Sequence, residues 1–350
     1  MPDEQTPPSR VHEAVESAPR LLPAGEVEPA EVSRETWRVD SVPGETTDVP
    51  RVSRETDFQL PDFADTPIAA AAAAALRVSD PNATPFPRPP RRRIVTVANQ
   101  KGGVGKTTST VNVAAALALR GARVLVIDLD PQGNASTGLG VEHHAGVPNI
   151  YDVLIGEKPL AAVATPGALP NLWVAPATID LAGAEIELVS VVARESRLRR
   201  AIAAYDAPLD YVLIDCPPSL GLLTVNALVA AEEMFIPIQC EYYALEGLGQ
   251  LLRNVELVRN HLNADLRISA ILLTMYDART RLAEQVANEV RSHFGDIVLG
   301  SVIPRSVRVS EAPGYGQSVL TYDPASRGAV AYLEAAREFA ERGAPDKEQQ

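Results

Sequence analysis

The chain has 350 residues, 46% of them hydrophobic and 22% charged, with a formal net charge of −13. That length accommodates one large α/β domain or two smaller ones. Its two cysteines, Cys216 and Cys240, are too few for a disulfide scaffold and lack metal-ligand spacing, and no apolar run reaches membrane-spanning length. The opening residues Met1-Pro2-Asp3-Glu4 have neither the basic nor the apolar region of a secretory signal, so a cytoplasmic protein is expected.

Residues 1–90 hold 15 of the 29 prolines, no lysine, 16 acidic residues and 8 arginines, which is −8 of the total charge. Such a composition buries too little apolar surface to offset chain entropy and reads as a disordered, acidic, proline-rich arm. The pentapeptide Val32-Ser33-Arg34-Glu35-Thr36 recurs as Val52-Ser53-Arg54-Glu55-Thr56. Further on, Thr66-Pro67 and the alanine run to Ala75 predict a short helix over 66–78, with Thr66 as N-cap and Pro67 at the first position. That helix is either a docking peptide or simply a strong helix former.

From Arg91 onward strands alternate with helices. Ile94–Ala98 is a short β-branched run that reads as a strand, and Thr107–Leu119 carries Val111, Ala115 and Leu119 at helical spacing. Between them, Lys101–Thr108 fits the phosphate-loop pattern, entered one residue off the common form. Lys101 precedes Gly102, and a second lysine, Lys106, closes the loop. Gly102, Gly103, Val104 and Gly105 let backbone N–H groups converge on phosphate oxygens, and the helix N-terminus adds its positive dipole end at Thr107 and Thr108. Lys106 is expected on the β- and γ-phosphates, with the Thr107 hydroxyl on Mg²⁺.

Arg123–Ile127 is the next strand pattern, with Asp128 and Asp130 following at its C-terminal end, where ligands sit in parallel sheets. Leu181–Ala204 reads as helical. Tyr211–Cys216 is a further strand that presents Asp215, the natural second metal carboxylate. Met234–Gln239 and Arg267–Thr274 complete the strand candidates, Leu245–Leu262 and Ala325–Arg342 the helical ones, and residues 343–350 are expected to fray. This alternation predicts an α/β fold with a mostly parallel twisted sheet flanked by helices, spanning 91–342. Arg279, Arg281, Arg305 and Arg308 cluster in its last third as candidate phosphate contacts. The total charge of −13 does not exclude DNA, because such contacts act within about a Debye length, roughly 8 Å.

Four segments resemble the ParA/Soj family of partition ATPases, in the family's order: Asn99–Thr108, Val126–Ala135, Val212–Ser219 and Ile303–Pro313. The resemblance covers about residues 91–342 and implies a deviant Walker A fold that binds ATP and Mg²⁺. It implies that Lys101 reaches across an ATP-dependent homodimer, that Asp130 positions the attacking water, and that Asp128 and Asp215 lie near Mg²⁺. Arg279 and Arg308 match arginines that bind DNA without sequence preference, and Arg281 and Arg305 are further candidates. Pro304 and Arg305 are suggested beside adenine, as are Thr274 and Met275. The implied partner is a ParB-type centromere-binding protein, and the implied location the nucleoid. Because the family's centromere core GTTTCACGTGAAAC translates as Val-Ser-Arg-Glu-Thr, the repeated pentapeptides are hypothesised to encode ParB sites within the gene. Unrelated synonymous codons there would sink that idea. The alternatives are a ParA-like positioner of another cargo and a MinD-like membrane-surface ATPase. The second needs a basic amphipathic C-terminal helix, and the chain instead ends Pro345-Asp346-Lys347-Glu348-Gln349-Gln350.

Overall fold

The computed structural model describes residues 66–344 apart from residue 243. The arm up to residue 65, with both pentapeptide repeats, and residues 345–350 lie outside the described residues. Among the described residues eight strands form one sheet: β1 (Arg93–Val97), β2 (Val124–Asp128), β3 (Thr165–Pro166), β4 (Leu172–Ala175), β5 (Tyr211–Asp215), β6 (Glu233–Gln239), β7 (Arg267–Tyr276) and β8 (Val298–Pro304). Their order is β3-β4-β2-β5-β1-β6-β7-β8. Every pairing is parallel except the short antiparallel contact of β3 with β4.

The strands β1, β2 and β5 are nearly continuous apolar runs because both faces of the sheet are covered. On one face the helices Lys106–Leu119 and Arg327–Glu341 bury Leu117, Tyr332 and Phe339 against Val95, Val126 and Leu213. On the other, helices including Arg197–Ala203, Leu222–Ala230, Ala244–His261 and Arg281–Phe294 cover Leu125, Ile214 and Ile236. Parallel register then puts the C-terminal ends of all the central strands on one edge of the sheet.

Three expectations need correction. The span Leu181–Ala204 is not one helix: it runs as Leu181–Glu187, two 3₁₀ turns at Leu188–Ser190 and Arg194–Ser196, and Arg197–Ala203. The break falls at the β-branched stretch Val189–Val192, a poor helix former, and at Ala193, whose φ of 53° no right-handed helix accommodates. Pro304, suggested as a loop position beside adenine, is instead the last residue of an edge strand, β8. That strand pairs only with β7, and the missing N–H of Pro304 is tolerated at such a position.

The third correction concerns the boundary placed at 90/91. The helix runs Pro67–Ser79, with Thr66 Oγ1 accepting from Ala69 N at 3.2 Å. Its Val78 is buried in the core under the C-terminal helix, and its Arg77 pairs with Glu334. Arg120 donates to the carbonyls of Arg77 and Asp80, Phe86 N donates to Arg120 O, and Arg88 donates to Gly121 O. Residues 66–90 therefore pack as part of the domain.

Candidate active site

The loop leaving β1 turns twice through the left-handed region, at Gly103 (φ 75°) and Gly105 (φ 87°), before the helix starts at Lys106. A side chain at either position would be strained. Thr274 Oγ1, at the end of β7, donates to Val104 O at 2.8 Å and ties the loop to the sheet. The loop runs directly into the helix N-terminus, and Lys106 reaches back along it with Nζ 3.3 Å from Lys101 O. Burial lowers the Lys106 pKa, against the partly restoring charges of Asp215, Cys216 and Asp130.

Asp128 and Asp215 are register partners on β2 and β5, side by side and fully buried. Burial raises the pKa of both, and for Asp215 the neighbouring charge of Asp128 adds to it. Asp215 accepts from Thr107 Oγ1 at 2.7 Å and from Thr110 Oγ1 at 2.9 Å. A hydroxyl and a carboxylate this close are the oxygen donor set that suits a hard divalent cation. Asp128 lies beside Asp215 and also braces the loop that follows it. Its Oδ1 accepts from Asp130 N, and its Oδ2 from both the N and the Oγ of Ser136. These bonds tie the loop carrying Asp130 to the end of β2. Asp130, half-buried in that loop, has its Oδ1 bonded by Gln132 N at 3.0 Å. Lys101 Nζ lies 3.2 Å from Glu241 Oε2, beyond the end of β6.

Beside the loop, a cavity of about 350 Å³ is lined by Gly105, Thr108, Thr274, Met275, Pro304, Arg305 and Tyr332, among others. Met275 enters it with φ 51°, uncommon for a residue with a side chain. Lys101, Lys106, Thr107, Asp128, Asp130 and Asp215 are therefore gathered at one edge, with Pro304 and Arg305 next to them. Sequence reading missed Thr110, Ser136 and Glu241, and named Thr274 only as a position beside adenine, not as the hydroxyl that ties down the loop. Thr110 was legible, since it sits three residues after Thr107 on the same helix face. Ser136 depends on how the turn after β2 folds back on Asp128, and Glu241 on which strand ends meet.

Because Tyr276 pairs with Pro304 across β7 and β8, the segments carrying Arg279, Arg281, Arg305 and Arg308 leave the sheet at the same edge. Two of these arginines, Arg279 and Arg308, are paired with carboxylates. Arg279, its side chain 88% exposed, makes paired bonds of 2.9 and 2.8 Å to Asp277. Those bonds bring the Asp277 pKa down to about 2. Arg308 contacts Glu311 at 3.0 Å and Asp323 at 3.3 Å. Arg281 is exposed at the start of its helix.

A loop of this shape at the end of a central parallel strand, feeding a helix and facing two strand-end carboxylates, defines a phosphate-loop NTPase fold. A family profile described as an AAA domain matches residues 92–268. The sporulation initiation inhibitor protein Soj of Bacillus subtilis is 55% identical over 251 residues, covering 72% of this chain and 99% of its own. The chromosome partitioning protein ParA of Caulobacter vibrioides is 56% identical over 252 residues, covering 71% and 94%. A crystal structure described as cobyrinic acid a,c-diamide synthase from Mycobacterium smegmatis, with bound ATP analog and magnesium, is 40% identical. It superposes with a TM-score of 0.61, covering 72% of this chain and 93% of that one. This chain belongs to the ParA/Soj family of chromosome-partitioning proteins.

Proposed function

We propose that the chain is an ATP-hydrolysing chromosome-partition protein. In this reading ATP drives a sandwich homodimer that binds double-stranded DNA without regard to sequence, and a ParB-type partner stimulates hydrolysis and release. The observation that carries it is the convergence of two lysines, a hydroxyl and three aspartates on one glycine-rich loop. Gly102 to Thr108 would cradle the phosphates, with Lys106 against the charge of the terminal groups. Adenine fits the cavity beside Met275, Pro304 and Arg305. Thr107 and Asp215 would hold Mg²⁺, whose chemistry is to neutralise charge on the phosphate oxygens.

Asp130 lies on the solvent side of the buried aspartate pair and is the carboxylate suited to orienting an attacking water. Lys101 must leave Glu241 to reach a partner's nucleotide. The exposed apolar side chains Ile179 and Tyr242 follow β4 and β6 on the same edge of the sheet, where a second copy would cover them. Among the described residues no helix is long and apolar enough to cross a membrane. Arg281 and Arg305 would supply phosphate contacts directly, and Arg279 and Arg308 once their carboxylate partners are exchanged for DNA.

The test is binding to random-sequence duplex DNA with ATP, ADP or no nucleotide, for the wild type and Asp130→Ala. Binding that needs ATP, weakens steeply with salt and persists in Asp130→Ala while hydrolysis is lost is the expected result. Absence of DNA binding in every nucleotide state would overturn the partition reading.

A further inference from the structure

The water-positioning carboxylate sits in a tight turn, Asp130-Pro131-Gln132-Gly133, closed by a 2.9 Å bond from Gly133 N to Asp130 O. One end of this turn is anchored by Asp128 through Ser136, whose Oγ also accepts from Ala177 N at 3.2 Å. The other end is Gly133, with φ 64° and almost no room around it. A Cβ there would stand 2.7 Å from His143 Nδ1, 2.9 Å from His143 Cε1 and 3.1 Å from Ala177 O. The glycine is thus held between an imidazole ring and a carbonyl.

The ring is itself fixed in place. Thr137 Oγ1 lies 2.8 Å from His143 Nε2 and 3.1 Å from Gly133 O. The threonine hydroxyl has one proton, which it gives to the Gly133 carbonyl, so its oxygen accepts from His143 Nε2–H. A relay therefore runs from His143 through Thr137 to the backbone of Gly133. From there the turn, with the Gln132 N bond to Asp130 Oδ1, carries it to the carboxylate.

We propose that His143 is a positioning residue for hydrolysis: it clamps Gly133 and thereby sets the Asp130 carboxylate toward the attacking water. The inference rests on the reading of Asp130 given above. His143 touches neither the phosphate loop nor the cavity beside it, so its loss should leave nucleotide binding alone and slow the chemical step. Misplacement of a reacting group by about 1 Å can cost on the order of a hundredfold in rate.

The experiment is steady-state ATP hydrolysis by the full chain with random-sequence duplex DNA, together with direct ATP binding. The variants are His143→Ala, His143→Gln, Thr137→Val and Asp130→Ala. His143→Ala and Thr137→Val are expected to lower kcat about tenfold or more with KM and ATP affinity within about twofold, as a displaced catalytic group would. The amide N–H of His143→Gln reaches the same hydroxyl and should recover most of the loss. A kcat within about twofold of wild type in His143→Ala, or a His143→Gln as slow as His143→Ala, overturns the proposal. Should His143→Ala fail to fold, unchanged kcat in Thr137→Val overturns it equally. If Asp130→Ala keeps its turnover, the water-positioning reading fails. If Asp130→Ala is dead while His143→Ala is normal, only the clamp fails.

Discussion

Arg93 begins β1 at the edge of the sheet opposite the nucleotide loop, and burying it requires several partners at once. Its guanidinium bonds Glu233 at 3.0 and 2.6 Å, donates to Phe339 O at 2.9 Å and stacks 4.1 Å from the Phe339 ring centroid. Arg267 adds a second cation, 3.0 Å from Glu233. Burial opposes the charge on Glu233, but the Arg93 hydrogen bonds and charge outweigh it and hold the carboxyl below the ordinary glutamate value. Its contribution to stability is therefore complete above that ordinary value and is lost as pH falls through the lower folded one. Arg93→Ala leaves a buried carboxylate with Arg267 as its one cation and the Ser269 hydroxyl, and should cost roughly 3 kcal/mol, measured by urea unfolding at neutral pH. A loss near zero would mean that Arg267 and water compensate. This residue was unreadable in sequence, where Arg91-Arg92-Arg93 is a run of three like charges. Only pairing of β1 with β6 brings Glu233 to the third of them.

At the scale of elements, the helix Pro67–Ser79 and the extended stretch after it divide the arm into a part that packs and a part outside the described residues. Its start was legible from Thr66-Pro67, a cap followed by a residue preset for the first turn. Its docking was not, because an alanine-rich helix carries little amphipathic signal and only Val78 goes fully into the core. Shortening the chain to begin at residue 66 keeps every contact named for this segment. Beginning at residue 91 removes Val78, Phe86 and the Arg77–Glu334 pair. Burial of one such aliphatic side chain is worth about 1.5 to 3 kcal/mol, so the second truncation should lower stability on the order of 3 kcal/mol and the first hardly at all. Equal melting temperatures for the two would show that the segment merely rests on the surface.

For the whole molecule, the proposed DNA binding would be a competition between charges. A chain of net charge −13 would meet a polyanion partly through arginines, Arg279 and Arg308, that its own carboxylates already occupy. Those two phosphate contacts would each replace an ion pair, so affinity should be modest and strongly salt-dependent. Asp277→Asn frees Arg279 and is expected to tighten ATP-dependent DNA binding several-fold in a filter or anisotropy titration, while Arg279→Ala weakens it. If Asp277→Asn binds more weakly than wild type, the aspartate orients the arginine rather than masking it.

Much of the site was written locally. The glycines and lysines of Lys101–Thr108 and the strand-end aspartates Asp128, Asp130 and Asp215 are short-range patterns, since each depends on one strand and the turn that follows it. The parallel sheet was legible for the same reason, from apolar runs separated by helical ones. The outer strands β3, β4 and β8 were not, because β3 and β4 are only two and four residues long and β8 carries Gly300 and Ser301 and ends on Pro304. What the tertiary structure alone decided is who meets whom: Asp128 beside Asp215, Lys101 on Glu241, Thr274 under the phosphate loop, and His143 against Gly133. Those pairs join residues far apart in the chain or across a turn, and strand order and side-chain packing, which no local pattern encodes, bring them together.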